Sequence, residues 1–241
     1  MKTILKTVAF LFTISLVSCN ANLNLGNGID GSGNVVTEKR TINENFDKIA
    51  SSTGVTVIVE QGTPTDVEVE TDDNLMQYVV TKVENGTLIV KIEGNINSMS
   101  SIDVRVRMNS IAGLESSSGS RISSKNTLKG STIAVKSSSG SEIDAVLEYE
   151  NVSCESTSGS TITVAGKALK LKTASSSGSE INATELAAND VIAQSTSGSS
   201  TTVKPIVKLV GKASSGSSID YVQTPKTITK EETSGGTVDK N

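Results

Sequence analysis

Twelve serines in this chain flank six glycines in Ser-Gly-Ser triplets, and a serine so repeated invites a reading as a nucleophile. The triplets centre on Gly119, Gly140, Gly159, Gly178, Gly198 and Gly216. A seryl hydroxyl becomes a nucleophile only beside a base, and the sequence contains no histidine. A Ser–Lys arrangement remains, but nothing distinguishes one triplet serine from the others. Glu70, Asp72 and Asp73 form a short acidic run that could take a weak surface Ca²⁺, although such a run is more often a solvated turn. Zinc spacing of Cys and His, a phosphate loop and a Gly-Gly-x-Gly-x-Asp calcium repeat are all absent from the sequence. The inventory therefore assigns no catalytic residue, no cofactor and no metal ligand.

The one residue with a specific chemical expectation is Cys19. Lys2 and Lys6 supply a basic n-region, and the run from Thr7 to Val17 supplies a short apolar h-region. Leu16-Val17-Ser18-Cys19 then resembles a bacterial lipobox. That resemblance implies a signal peptide over residues 1–18, cleavage before Cys19 and thioether lipidation of its sulfur. Each acyl methylene buried in a membrane contributes about 0.8 kcal/mol, so several chains anchor a protein without a spanning helix. Cys154 is then left without an intramolecular partner, and its position in a repeated column marks it as a small core residue.

Removing the signal takes two lysines away, leaving 20 basic residues against 26 acidic ones and a net charge of −6. That balance disfavours nucleic acid, which needs a basic stripe. Phe46, Tyr78, Tyr149 and Tyr221 are the only aromatics after residue 18. A core so poor in rings must be thin, and aromatic platforms for stacking sugars are scarce.

The elements that hold these residues are short strands in a repeat. Successive triplet glycines lie 21, 19, 19, 20 and 18 residues apart, and a degenerate copy at Ser234-Gly235-Gly236 follows. Seven residues before the glycine stand Ile133, Val152, Leu171, Val191 and Leu209, and three after it stand Ile122, Ile143, Ile162, Ile181, Thr201 and Ile219. Polar residues fill the positions between. Alternation with period two, kept in phase from copy to copy, predicts stacked coils with one face inside. The chain is thus expected to be all-β, a parallel β-solenoid (β-helix) with coils of about 19–20 residues. The glycine should lie at the bend between two strands. The serines on both sides of it are expected to face inward as hydrogen-bonded ladders. An outward column at Ser117, Ser138, Thr157, Ser176, Thr196 and Ser214 suits ordered water poorly, because its neighbours are charged.

Upstream, Asn/Gly-rich residues 20–34 read as a tether, and alternating valines from Val55 to Val106 read as further strands. The expected organisation is a lipidated cysteine and tether over 19–39, a solenoid over 40–235 and a tail over 236–241. The regular coils should begin near residue 110, and the charged stretch from Lys226 to Asp239 should cap one end.

Phe46-Asp47-Lys48-Ile49, Gly54-Val55-Thr56-Val57, Val67-Glu68-Val69-Glu70-Thr71-Asp72-Asp73-Asn74-Leu75 and Asn85-Gly86-Thr87-Leu88-Ile89-Val90 precede the coils in that order. Together with the triplets, this order resembles the "putative auto-transporter adhesin, head GIN domain" family (domain of unknown function 2807) over about residues 40–230. The resemblance implies a right-handed parallel β-helix outside the cytoplasm, with no catalytic or binding residue to carry over. The expected function is a non-enzymatic, envelope-anchored rod with adhesin-like or structural work. Its expected partners are the outer membrane, through the lipid on Cys19 and on either face, and a glycan or a matrix or cell-surface protein. A polysaccharide lyase or hydrolase on the same scaffold is the alternative.

Overall fold

The computed structural model describes residues 28–241; Cys19 and the signal residues lie outside that range. In chain order the first part holds β1 (Ile29–Asp30), β2 (Val35–Arg40), β3 (Lys48–Ser51), β4 (Thr56–Gln61) and β5 (Asp66–Asp72). A single 3₁₀ turn (Met76–Tyr78), β6 (Val79–Glu84), β7 (Thr87–Ile92), β8 (Ile96–Ser98) and β9 (Ile102–Met108) follow. β3 and β4 make the first coil, with β7 parallel beside β3 and β9 parallel beside β4. The next layers reverse direction. β5 runs antiparallel between β9 and β2, and β6 folds back antiparallel on β7 through Asn85-Gly86, both at positive φ as a tight hairpin requires. Residues 62–112 therefore build a mixed cap on one side of the first coil.

The second part adds β10 (Gly113–Ser116), β11 (Arg121–Ser124), β12 (Leu128–Ser137), β13 (Glu142–Ser156) and β14 (Thr161–Ser175). It ends with β15 (Glu180–Ser195), β16 (Ser200–Ala213), β17 (Ser218–Tyr221), β18 (Thr227–Glu232) and β19 (Thr237–Lys240). β10 and β11 stack on the opposite side of the first coil from the cap, and every later coil pairs in parallel with its predecessor. Each long strand passes around a corner. Each coil has three faces: in β13 the first leads into the serine corner (residues 152–156), the second follows the glycine (142–145) and the third lies between them (147–149). The buried/exposed alternation of β13 slips at Glu150-Asn151, where the chain turns from the third face to the first. Differences in coil length are absorbed on the third face and that corner, where the register shifts, while the faces beside the glycine stay aligned.

Alignment follows from what is inside. Val57, Ile122, Ile143, Ile162, Ile181, Thr201, Ile219 and Val238 form one continuous column by register, and all are fully buried. A slip by one residue would expose that whole column, so the register is strongly specified. A second column tapers along the axis from Ile49 and Leu114 through Val135, Cys154, Thr173 and Ala193 to Gly211. A Cβ on Gly211 would lie 2.8 Å from Val238 Cγ1, so the valine of the last coil occupies the space released by the taper.

Strands also occur in the stretches on either side of the coils. β1 and β2 lie within the stretch expected as tether, and β2 is held by its ladder to β5. At the other end β19 covers most of the expected tail, pairing with β17 because Val238 continues the interior column. The charged stretch from Lys226 onward is thus the last coil itself. It ends the stack by placing Lys230 and Glu232 at positions in register with Gly211 and Ala213.

Candidate functional site

The triplet serines divide into two populations, which corrects the expectation that both face inward. Ser118, Ser139, Ser158, Ser177, Ser197 and Ser215 are exposed and adopt φ between 51° and 56°, while the glycines that follow have φ between 67° and 71°. Two successive left-handed residues turn the chain sharply, and the glycine amide donates to the carbonyl of the exposed serine in the next coil at 3.1 Å throughout. The serine after the glycine is buried. Ser141 Oγ accepts from the Ser138 N–H at 3.1 Å and donates to the Ser116 carbonyl of the preceding coil at 2.7 Å. Ser160, Ser179 and Ser217 reach back in the same way, at 2.7–2.8 Å.

A second buried serine stands three residues before the glycine in five of the six coils, at Ser116, Ser137, Ser156, Ser175 and Ser195, with Ala213 in the sixth. Ser116–Ser120, Ser137–Ser141 and Ser156–Ser160 pair hydroxyl to hydroxyl at 2.8–2.9 Å. Thr201, which interrupts the isoleucine column, lies within 3.0 Å of Ser175 and Ser195. Sequence reading missed this column, although its spacing from the glycine was there to find. It also missed the first coil, where Ser51 and Thr53-Gly54 reproduce the corner with Ser51 Oγ donating to the Val55 carbonyl at 3.2 Å. These hydroxyls add second partners to corner amides and carbonyls that are already paired between coils, as the Ser138 N–H is to the Ser116 carbonyl at 3.0 Å. Among the described residues none of them is within hydrogen-bonding distance of a lysine.

The carboxylates of the acidic run diverge. Glu70 takes Arg105 at 3.0 Å, Asp72 takes the Ser100 amide and hydroxyl at 2.9 Å, and Asp73 takes Ser32 and Asn34. They tie β5 to its neighbours, and Ser32 and Asn34 hold the Asp73 carboxyl below its ordinary range. Cys154 is buried, and desolvation pushes its thiol up to about 12, where the thiolate is negligible at neutral pH.

Cations and anions do gather at two places on the second face. Arg121 binds Glu142 at 2.8 Å and Asp144 at 2.6 Å, and Glu60 takes Lys125 at 2.8 Å and Arg107 at 3.3 Å. Hydrogen bonds from Lys125 and then Arg107 lower the Glu60 pKa, the reverse of what a general acid needs. These are mutually neutralised ions.

Two open grooves run across the coils on the first face. One, of about 460 Å³, is bordered by the hydroxyls of Thr157, Ser176, Thr196 and Ser214 together with Glu155, Gln194 and Lys212. The threonine and serine hydroxyls are linked in pairs, Ser176 to Thr157 and Ser214 to Thr196, at 3.1 Å. The other groove, of about 410 Å³, lies toward the corner with the third face and is bordered by Lys170, Lys172 and Lys208. Sequence reading did not single out these lysines, because three charges scattered over 39 residues converge only once the coil length is applied.

Repeated outward columns, shallow grooves and a serine-lined interior define a protein of the parallel β-solenoid class. The chain belongs to the family described as "Putative auto-transporter adhesin, head GIN domain", whose model matches residues 45–225. Among solved structures it is similar to a putative adhesin from Bacteroides fragilis, with a TM-score of 0.83 at 20% identity over 89% of this chain and 100% of the other. A putative adhesin from Parabacteroides merdae gives a TM-score of 0.72 at 20% identity over 90% and 100% of the two chains. A protein from Parabacteroides distasonis described as a putative lipid binding protein gives 0.73 at 19% identity over 89% and 100%. No curated protein matches. Among the described residues no helix is long and apolar enough to cross a membrane.

Proposed function

We propose that this protein is a non-enzymatic, adhesin-like rod held at the outer membrane by a lipid on Cys19. It engages a glycan or a surface protein through its outward columns. The observation that carries the reading is the in-register stacking of the first face, which repeats the same outward positions every inter-strand step of about 4.8 Å. Such a surface collects many weak contacts, and avidity then replaces a deep pocket. The family and its structural neighbours carry adhesin or lipid-binding names, which supports binding over turnover.

The test is a glycan and matrix-protein array run with the purified mature chain beside lyase and hydrolase assays. Saturable binding without turnover is the expected outcome. Turnover abolished by one acidic or basic substitution would overturn the reading. The anchor is tested separately: Cys19→Ser should move the protein from the membrane fraction to the soluble one, and continued membrane fractionation would remove lipidation from the account.

A further inference from the structure

We infer that the groove bordered by Lys170, Lys172 and Lys208 is a site for an acidic polysaccharide laid along the rod axis; the assignment rests on the binding-rod reading above and names its ligand. Lys170 and Lys172 project from the same face of β14, about 7 Å apart by strand geometry. Lys170, Asp190 and Lys208 are consecutive in register, which puts Lys208 two coils from Lys170, or about 10 Å. Asn151, Ser153 and Thr132 complete the border, with the exposed Ile192 beside them.

Three other lysines on this part of the chain are tied to carboxylates: Lys129 to Glu148 at 3.0 Å, Lys136 to Glu155 at 3.8 Å and Lys212 to Glu231 at 2.7 Å. Lys170, Lys172 and Lys208 are exposed and make no ion pair among the described residues. Three lysines against the single Asp190 give the groove a net charge of +2 in a chain with an excess of acid. The second face carries the opposite sign: Arg121 balances only one of Glu142 and Asp144, and Glu180 and Asp220 add to the remainder, so a polyanion is directed to the first face.

Two properties narrow the occupant. No aromatic ring borders the groove, so a neutral sugar finds no stacking platform and attraction must come from charge. The amide of Asn151, the hydroxyls of Ser153 and Thr132 and the Asp190 carboxylate offer both donors and acceptors to sugar hydroxyls. A small monoanion would engage one lysine, whereas a linear polymer with a carboxylate or sulfate on successive units engages all three.

The experiment measures binding of polygalacturonate and heparin to the immobilised mature chain, with dextran as the neutral polymer and phosphatidylglycerol vesicles as an anionic membrane. Saturable binding of both polyanions, none of dextran, and an affinity that falls about tenfold in high salt are expected. The triple variant K170E/K172E/K208E should lose about tenfold or more, while K129E/K136E, which touches lysines already paired, should stay within about twofold. Asp190→Asn should raise affinity, since it removes the groove's only carboxylate. Equal binding by wild type and triple variant, or vesicles bound in preference to the polymers through these lysines, would overturn the assignment. If the array yields a neutral glycan or a protein while neither polyanion binds, the acidic ligand fails and the binding rod stands. If no surface is bound at all, both fail.

Discussion

Ser139 and Ser141 flank one glycine and face opposite demands. Ser141 is buried and joins the Ser138 amide to the Ser116 carbonyl of the coil before it. Ser141→Ala removes one partner from each, while the direct 3.0 Å bond from the Ser138 amide to the Ser116 carbonyl remains, so it should lower stability by about 0.5–1.5 kcal/mol, measured by denaturant unfolding. Ser139 is exposed with a φ of 54°, a conformation asparagine tolerates better than serine. Ser139→Asn should therefore be neutral or stabilising, and equal losses at the two positions would contradict this division of roles. Glu60 supplies the residue-scale pH response. Its carboxyl is depressed by Lys125 and Arg107, so its contribution is complete above the ordinary carboxylate pKa and is lost as pH falls through the depressed value. Glu60→Gln should be less stable than wild type at pH 7 and should converge toward it in strong acid, read as melting temperature against pH.

At the scale of the coil, the tapered column makes the last turn depend on Gly211. Gly211→Ala forces Val238 to move from a 2.8 Å approach, and hydrogen exchange should rise in residues 227–240 while coils around Ile143 and Ile162 keep their protection. A uniform rise would mean that the coil is not an independent unit. The coils were legible in the sequence because their phase is set by large aliphatic residues such as Ile143 and Ile162 repeating at the coil length. The cap was legible only as strands. Val67 and Val69 alternate as any strand does, and period two does not reveal whether the partner runs parallel or antiparallel. The groove lysines were hidden for a related reason: on the outer face no burial constraint marks position, and only the register of β14 to β16 brings Lys170 and Lys208 together.

At the scale of the whole molecule, the stack must stop itself from growing. The far edge, β18 and β19, is closed by charge: Lys230 donates to the Val238 carbonyl and lies 5.5 Å from the Tyr221 ring, and Glu232 takes the Val238 amide at 2.8 Å. Inward-pointing charges on an open edge oppose pairing with another chain. Lys230→Val with Glu232→Val should yield concentration-dependent end-to-end association in sedimentation velocity; a strictly monomeric double variant would show that the edge is protected by other means.

The insertion of residues 62–112 between the first and second coils also orders events in time. Near-identical repeats are prone to misalignment by a full period, since Ile143 could meet Ile181 almost as well as Ile162. A chain emerging with its N-terminus first, however, presents all of β1 to β9 before any Ser-Gly-Ser triplet has appeared. That stretch contains its own terminator on one side, in the reversed strands β5 and β6, and leaves a single growing edge on the other. The unrepeated part is thus placed to act as a seed. Each new coil meets one template, already finished, and the repeats are read into the rod in the sequence in which they arrive.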